Sequence, residues 1–223
     1  WLKQKGAILY GISLDIPTQP SLYEALELQN QMEHIFLDIR DLDRLKSEVK
    51  RISPDFIFHM AAQPIVSLSY SDPLGTFTTN AIGTANVLEA IRELENKCVS
   101  IFITSDKCYE NVEWVWGYKE TDMLGGKDIY SASKAAAEIV IHSYYHSFIK
   151  KMPNIKMASV RAGNVIGGGD WAADRIVPDC MRSWSQNEKV NIRNPGATRP
   201  WQHVLEPLSG YLNIAAELWN EGD

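Results

Sequence analysis

The chain has 223 residues, of which 45% are hydrophobic and 10% aromatic, and charges of both signs are interspersed along it. This composition can bury a substantial core, as one large domain or two unequal ones, and it argues against a disordered chain. The formal net charge of -6 argues against a broad nucleic-acid surface or an anionic-membrane surface, so the expected partner is a small molecule.

The expected compartment follows from what the sequence lacks. No apolar run reaches the roughly 18 residues that a membrane helix needs, and the opening WLKQKG has no apolar signal-peptide core. The cysteines, Cys98, Cys108 and Cys180, are odd in number and show no CxxC spacing, which argues against a disulfide framework or a zinc site. We therefore expect a cytoplasmic protein with reduced thiols and no membrane contact.

Apolar runs with polar ends alternate with helix-length segments. The strand candidates are AILYGISLD (7–15), EHIFLDIRD (33–41), DFIFHMAAQ (55–63) and VSIFITSDK (99–107). The last two are continuous apolar runs, typical of parallel strands buried on both faces. The intervening segments 42–52 and 80–94 each place apolar residues on one helical face. KMASVRAGNVIG (156–167) is a further strand candidate.

This alternation predicts an α/β fold with a doubly wound, Rossmann-like parallel sheet. Ligands of such sheets bind beyond the carboxyl ends of the strands, where the sequence places Asp15, Asp38, Gln63 and Ser105. After residue 165 the amino-acid composition changes, and the segment that follows is rich in glycine, proline and tryptophan. We expect a dinucleotide-binding domain over residues 1–165 and a smaller substrate-binding portion over residues 166–223.

Asp15 bears on the choice of cofactor. An acid that ends the second strand of a dinucleotide-binding fold can bind the adenosine ribose and repel the extra phosphate of NADP, which favours NAD. The usual glycine-rich turn lies about twenty residues earlier, but only fourteen residues precede Asp15. We therefore expect the first strand and its glycine loop to be missing. Taken alone, Asp15 is also explained as a solvated loop acid.

YSASK carries the strongest chemical signal. Tyr130 and Lys134 are four residues apart and share a face if the segment is helical. An ammonium beside a phenol lowers the pKa of the phenol, which makes Tyr130 a candidate general base. The pattern Y-x-x-x-K is weak by itself. It gains weight because the polar run Ser105-Asp106-Lys107 precedes it at the end of a predicted strand.

Five strings together resemble the extended short-chain dehydrogenase/reductase family of nucleotide-sugar enzymes. These strings are HMAAQP, NAIGTANVLEA, TSDKCYEN, YSASK and RAGNVIGGGDWA. Three longer stretches resemble more narrowly the CDP-glucose 4,6-dehydratases of that family. They are SDKCYENVEWVWGY, RAGNVIGGGDWAADRIVPD and RPWQHVLEPLSGYL. The resemblance runs from near Trp1 to about Glu217.

The resemblance implies NAD-dependent conversion of CDP-glucose to CDP-4-keto-6-deoxyglucose in deoxysugar biosynthesis, such as that of lipopolysaccharide O-antigen. Tyr130 would take the proton of the hydroxyl on sugar carbon 4, which Ser105 would also contact, while Lys134 would hold the nicotinamide ribose. Loss of water across carbons 5 and 6 needs a further acid and base, a role for Asp106 and Lys107.

Lys107 departs from better-known dehydratases of the family, which have glutamate at this position. A lysine at its ordinary pKa of about 10.4 would be protonated and useless as a base. Burial and the neighbouring Lys134 could depress that pKa, while burial could raise the pKa of Asp106 enough to keep it protonated as the acid. Alternatively, a charged Lys107 stabilises the developing enolate while Asp106 or a water moves protons. The alternative without a catalytic role is an ordinary ion pair between Asp106 and Lys107 at the end of the strand.

The remaining cofactor contacts are implied by family position. Asp38 and Ile39 would receive the adenine, although Asp38 alone is equally explained as a capping or loop acid. Ala61, Ala62 and Gln63 would lie along the ribose and pyrophosphate. Asn80 matches a position on the active-site helix, but an asparagine at a helix start is also a good cap.

The substrate pyrophosphate needs hydrogen-bond donors and positive charge. The residues that family position assigns to it are Asn164, Arg175, Arg193 and Arg199. Each arginine alone could be an ordinary surface residue.

Other readings stay open at this point. GDP-mannose or dTDP-glucose dehydratases and UDP-sugar epimerases are neighbouring enzymes, and an inactive truncated binding module is a non-enzymatic alternative. We expect no metal, because His142 and His146 lack an adjacent catalytic glutamate and a third ligand. The resemblance also implies a homodimer or higher homo-oligomer, and the substrate-binding portion is expected to be incomplete.

Overall fold

The computed structural model describes residues 1–221. Its strands are β1 (Tyr10–Ser13), β2 (Glu33–Phe36), β3 (Phe56–His59), β4 (Cys98–Ile103), β5 (Ile155–Val160), β6 (Asn164–Ile166) and β7 (Trp201–His203). Its α-helices are α1 (Leu22–Ala25), α2 (Leu42–Ile52), α3 (Val66–Ser71), α4 (Pro73–Phe77), α5 (Gly83–Arg92), α6 (Ile129–Ser147), α7 (Ile176–Ser185) and α8 (Leu205–Asn220). A π-helical turn (Thr78–Ile82) joins α4 to α5, and short 3-10 turns cover Lys3–Lys5, Leu28–Asn30, Asp106–Cys108 and Ile149–Lys151. None of the helices in this part of the chain is long and apolar enough to cross a membrane.

Every ladder between the named strands is parallel. The pairs are β1 with β2, β3 with β4, β4 with β5, and β6 with β7. Helices separate most successive strands, since parallel strands need crossover connections. The predicted α/β class with parallel sheets is confirmed.

The described chain forms two compact units. The first contains residues 1–37 and 164–204, and the second contains residues 38–163 together with the segment from Leu205 onward. These bounds differ from the division at residue 165, because the first 37 residues group with the 164–204 segment and α8 groups with the central sheet. The functional division at residue 165 stays a prediction.

The second unit is organised around β4. This strand is paired on both edges, by β3 and β5, and its residues are almost completely buried. Val99 and Ile101 pack against Tyr211 and Ala215 of α8, which shields that part of the strand from water. The apolar run that predicted β4 is therefore explained by cover from neighbouring strands and helices.

The amphipathic helices of the second unit follow the predicted periodicity. Leu45 and Val49 are the buried residues of α2, while Leu88 and Ile91 of α5 are almost inaccessible to solvent. Asp41 caps α2, since its side chain accepts a hydrogen bond from the Arg44 amide.

Two sequence expectations need correction. β3 is less buried than its apolar run suggested, with Phe56 41% exposed, because within residues 1–221 its edge opposite β4 has no strand partner. The segment at 80–94 does not begin at Asn80. It continues a helical run from Pro73 that is capped by Asp72, whose carboxylate accepts from the Gly75 amide at 2.9 Å.

The core assignment can be tested with two leucines that differ mainly in burial. Leu88→Ala should lower the free energy of unfolding by about 2 to 5 kcal/mol, because it removes buried methyl groups and leaves a cavity. Leu74→Ala is the matched control, since Leu74 is 72% exposed whereas Leu88 is 0% exposed. Urea unfolding followed by circular dichroism measures both, and equal losses for the two variants would contradict the assignment.

Candidate active site

The first turn of α6 fixes Tyr130. Asp128 caps the helix, with its carboxylate accepting from the Ser131 amide at 2.9 Å and from the Ser131 hydroxyl at 2.8 Å. Tyr130 and Lys134 follow one turn apart on α6, and they are only 8% and 7% exposed. The predicted helical placement of this pair is confirmed.

The end of β4 carries the second group of candidates. The Ser105 hydroxyl donates to the Asp106 carboxylate at 3.1 Å and accepts from the Lys107 amide at 3.2 Å. The Asp106 amide donates to the Ala162 carbonyl at 3.0 Å, which holds the backbone beyond the strand. Ser105 is buried, whereas Asp106 and Lys107 keep partial exposure in the described chain.

The 3-10 turn Asp106–Cys108 packs against α6. The fold therefore gathers Ser105, Asp106 and Lys107 beside the helix that carries Tyr130 and Lys134. All five lie in the second unit. The arrangement offers hydroxyl, carboxyl, phenol and ammonium groups at the carboxyl end of a central parallel strand, where ligands of this fold class bind.

Lys134 lies in an unusual setting for an ammonium. Burial lowers the pKa of Lys134 to about 8, while the charges of Glu138 and Cys108 act in the opposite direction. Within residues 1–221 its amine makes no hydrogen bond and no ion pair closer than 4 Å. The Lys134 nitrogen is not among the fully buried polar atoms that lack a partner, so it keeps some accessible surface and is available to a ligand.

His59, at the end of β3, is a neutral neighbour. Burial, together with the positive charge of Lys134, lowers the pKa of His59 to about 3. The Thr84 hydroxyl donates its single proton to the Asn80 carbonyl at 2.7 Å. It must therefore accept from the Nε2–H of His59, 3.0 Å away.

Asn80 connects three segments. Its side-chain oxygen accepts from the Gln63 amide at 2.8 Å, and its nitrogen donates to the Gln63 carbonyl at 3.1 Å and to the Ser133 hydroxyl at 2.9 Å. Asn80 lies inside the π-helical turn, a feature that is frequent at functional sites. The capping alternative for Asn80 is wrong, because the helical run begins seven residues earlier at Pro73.

The segment after β3 is held mainly by internal bonds. The Gln63 side chain donates to the Thr76 hydroxyl at 2.8 Å and accepts from the Ile65 amide at 2.5 Å. Ala61 and Ala62 are partly exposed, with small side chains that leave the backbone approachable. Their role along a cofactor stays a prediction.

The acids after β1 and β2 differ in environment. The Asp38 carboxylate pairs with Arg40 at 2.6 Å, and this partner lowers the pKa of Asp38. Ile39 is buried against Gly83 of α5, so its side chain serves the core. Asp15 belongs to the first unit and is exposed two residues after β1 ends.

The substrate candidates belong to the first unit. Asn164 begins β6 and pairs in register with Trp201 of β7, two residues after Arg199. Arg175 and Arg193 already have acidic partners, Asp170 at 3.1 Å and Asp174 at 3.2 Å.

Arg199 differs from the other two arginines. Its guanidinium donates to the Thr198 carbonyl at 2.7 Å and has no acidic partner among residues 1–221. Of the three arginines assigned by family position, Arg199 is the one with its charge uncompensated by a carboxylate.

Sequence reasoning missed a buried ion pair beside these candidates. Glu138 lies on α6, one turn beyond Lys134, and is bound by Arg161 through two bonds of 3.1 Å. The signal was present as two charged residues in otherwise apolar segments, four residues after Lys134 and directly after β5.

Two histidines lie one turn apart on α6. His142 and His146 have ring centroids 4.4 Å apart, as expected for neighbours on one helix face. No group of three or more potential ligands for a metal occurs in the part of the chain that the structure describes.

Comparison with known proteins identifies a relative that aligns along the whole chain. The chain is 50% identical over 226 residues to CDP-glucose 4,6-dehydratase from Salmonella typhimurium. The alignment covers 100% of this chain but 63% of the relative, so the chain spans less than two thirds of the relative's length.

Solved structures share the fold at low sequence identity. A dTDP-glucose 4,6-dehydratase from Streptomyces venezuelae, a double mutant with NAD bound, has a TM-score of 0.80 at 20% identity, covering 93% of this chain and 62% of its own. The UDP-glucose 4-epimerase of Thermotoga maritima has a TM-score of 0.81 at 22% identity, covering 96% of this chain and 67% of its own. These likenesses support the Rossmann-like fold.

A model of the GDP-mannose 4,6 dehydratase family matches residues 8–217, which is nearly the whole chain. The chain belongs to this family of extended short-chain dehydrogenases/reductases.

Proposed function

We propose that the protein dehydrates a nucleotide-activated hexose, converting CDP-glucose to CDP-4-keto-6-deoxyglucose with NAD as cofactor. The observation that carries this proposal is the 50% identity to a CDP-glucose 4,6-dehydratase along the full chain. The polar groups beside α6 support it, since water elimination needs an acid and a base beyond those of a simple oxidation. We assign this step to Asp106 and Lys107.

The residues present fit a nicotinamide cofactor. Lys134 is a buried ammonium with no hydrogen bond to the described chain, and such a group suits the hydroxyls of the nicotinamide ribose. Ala61, Ala62, Gln63 and Asn80 would line the remainder of the cofactor. Bound NAD would supply a hydride acceptor for sugar carbon 4 and return the hydride to carbon 6, while carbon 5 would regain a proton from solvent.

The oxidation step needs removal of one proton. In the proposed mechanism the Tyr130 phenolate takes the proton of the hydroxyl on carbon 4 and becomes the phenol, and the Ser105 hydroxyl shares a hydrogen bond with that group. The Lys134 ammonium stabilises the phenolate that Tyr130 must form. The buried position of all three side chains keeps their geometry fixed.

The elimination step moves a proton from carbon 5 to the hydroxyl leaving carbon 6. The ketone on carbon 4 acidifies the carbon 5 hydrogen, so the Asp106 carboxylate can take that proton and pass it to the departing hydroxyl as water forms. We assign Lys107 to the fixed-charge role, in which its ammonium stabilises the developing enolate. Its partial exposure supports this assignment, because a lysine base needs deeper burial to lose its proton.

The proposed cellular compartment rests on the state of the cysteine thiols. Cys98 and Cys108 are buried and unpaired, and burial raises their pKa values to about 11 and about 12, so they are poor nucleophiles. Unpaired thiols suit a reducing compartment, and we place the protein in the cytoplasm, in deoxysugar biosynthesis that could serve lipopolysaccharide O-antigen. Exposed apolar side chains near the Tyr130 segment, Ile82 and Ile139, support a homodimer through these helices.

Substrate identity is tested first. The protein is incubated in heavy water with NAD and, separately, with CDP-, dTDP-, UDP- and GDP-hexoses, and the sugar is followed by NMR. We expect a 4-keto-6-deoxy product with deuterium on carbon 5 from CDP-glucose alone. An epimer formed without loss of water would overturn the proposed reaction.

The role of Lys107 is tested by three substitutions. Lys107→Arg should keep exchange at carbon 5 within about tenfold of the native rate, because it retains the charge but cannot act as a base. Lys107→Met should lower the exchange by about a hundredfold or more, and Lys107→Glu should lower it further. If Glu restores exchange where Met and Arg do not, Lys107 is the base and the fixed-charge assignment fails.

Arg199 provides the test of substrate binding. Arg199→Met should raise KM by about ten- to hundredfold, because losing one charge-assisted hydrogen bond weakens binding by about that factor. The kcat should stay nearly unchanged. Arg51→Met is the control, since this arginine pairs with Glu48 on α2. Steady-state kinetics measures both variants, and equal losses at low and saturating substrate would refute the assignment of Arg199.

A further inference from the structure

Glu138 is a buried carboxylate that the proposed reaction does not use. It is 5% exposed and lies four residues after Lys134, so the two side chains emerge from the same face of α6. Arg161 binds it in a bidentate manner, with Nε to Oε1 and one terminal nitrogen to Oε2, both at 3.1 Å. Bidentate pairing of this kind fixes orientation as well as charge.

Hydroxyl groups from two strands complete the environment of Glu138. Thr104 donates to Oε1 through a short bond, and Ser159 of β5 donates to Oε2 at 3.3 Å. With Arg161, these donors occupy both oxygens of the carboxylate.

The hydrogen bond from Thr104 connects Glu138 to the segment Ser105–Lys107 at the end of β4. Thr104 follows the last residue of β4 and directly precedes Ser105, and its amide donates to the Val160 carbonyl at 2.9 Å. Glu138 therefore joins the end of β4 to α6, the helix that carries Tyr130 and Lys134. A carboxylate that only balanced Arg161 would not need this third contact.

The charges around Lys134 come from several elements. On α6 itself there are Glu138 and the phenol of Tyr130; Cys108 approaches from the 3-10 turn and His59 from β3. His59 is neutral, and the raised pKa of Cys108 keeps that thiol protonated at neutral pH. Glu138 is thus the anionic group that acts on the Lys134 ammonium.

Arg161 is held where its positive charge does not cancel the effect of Glu138 on Lys134. Its guanidinium also lies 4.7 Å from the centre of the Tyr109 ring and donates to the Glu120 carbonyl at 3.3 Å, so it is held on the side of Glu138 formed by β5 and the loop after β4. Lys134 has no direct bond to Glu138 and experiences its charge through space. In the low-dielectric interior such an interaction remains strong over several ångströms.

We propose that Glu138 is a positioning residue, whose carboxylate, fixed by Arg161, Thr104 and Ser159, keeps the buried Lys134 in its ammonium form and aligned with the end of β4. The functional meaning of this inference rests on the proposed role of Lys134 in cofactor binding and proton transfer. The charge state of Lys134 can nevertheless be measured without substrate or turnover. Failure of this inference is therefore distinguishable from failure of the proposed reaction.

The test is a titration of Lys134 in protein labelled with carbon-13 at the lysine ε-carbons. The Lys134 signal is assigned by its loss in Lys134→Arg, and its shift is followed against pH in the native chain and in Glu138→Gln. The native midpoint is expected near the pKa of about 8 for Lys134. In Glu138→Gln we expect it to fall by about one pH unit, because an isosteric amide removes the opposing charge.

The direction of the shift separates positioning from simple packing. A variant that merely loosened the structure would rehydrate Lys134 and raise the midpoint toward the ordinary lysine pKa of about 10.4. A midpoint that rises or does not move in Glu138→Gln therefore overturns the proposal. Glu89→Gln is the matched control, since Glu89 pairs with Arg92 on α5 at 2.9 Å, and its Lys134 midpoint should equal the native value.

Glu138→Asp keeps the proposal testable if the glutamine variant does not fold. It retains the charge but withdraws it by about one methylene, so the Lys134 midpoint should lie between those of the native and glutamine proteins. If the glutamine variant does not fold, a fall of the Lys134 midpoint by a few tenths of a pH unit in Glu138→Asp supports the proposal. No change or a rise of that midpoint overturns it.

Discussion

The double-sided pairing of β4 is the constraint on which the candidate site depends. The strand has β3 on one edge and β5 on the other, and the pairing extends past its last residue through the amides of Thr104 and Asp106. The backbone that carries Ser105 is therefore held by the sheet and not by a free loop. A reactive group placed in this way keeps its geometry, because any displacement would break buried backbone hydrogen bonds.

Polar side chains in the interior extend this constraint to the helices. Asn80 links the segment after β3 to Ser133 of α6, and Glu138 links the end of β4 to the same helix. The side chains of Asn80 and Glu138 each have hydrogen-bond partners, which is the condition for burying such groups without a large cost. The site is consequently assembled by hydrogen bonds between elements, while apolar packing of β4 against α8 supplies the support behind it.

Periodicity in the sequence predicted the parallel strands around β4 and the amphipathic helices, and the spacing of Tyr130 and Lys134 placed them on one face of a helix. These features depend on local pattern and on the burial of apolar faces. The candidate strand 156–167 was wrong as a single element, because β5 and β6 are separate strands in different sheets. The start of the helical run at Pro73 was missed because the segment before Asn80 has little apolar periodicity, and Asp72 and Pro73 are the actual start signals. Partial exposure of β3 was missed because burial depends on which strands are neighbours, which a single strand's sequence does not contain.

The partners of charged residues were the least predictable part of the site. Asp38 and Arg40 are close in sequence, but Glu138 and Arg161 meet only because α6 packs beside β5. Sequence reasoning could name Arg175, Arg193 and Arg199 as equals, whereas the fold gives the first two an acid and leaves the third without one. Such distinctions arise from tertiary contacts, so they follow only from the folded chain.

The proposed mechanism gives the two lysines different roles, and their settings differ. Lys134 is buried on a rigid helix, where desolvation lowers its pKa to about 8 and makes its charge sensitive to a single carboxylate. Lys107 lies on a short turn at the end of β4 and keeps contact with solvent. The role proposed for Lys134 benefits from the first setting, because a buried ammonium acts more strongly on a neighbouring phenol than an exposed one does. A group that stabilises developing negative charge benefits from the second, since it must stay charged throughout the reaction.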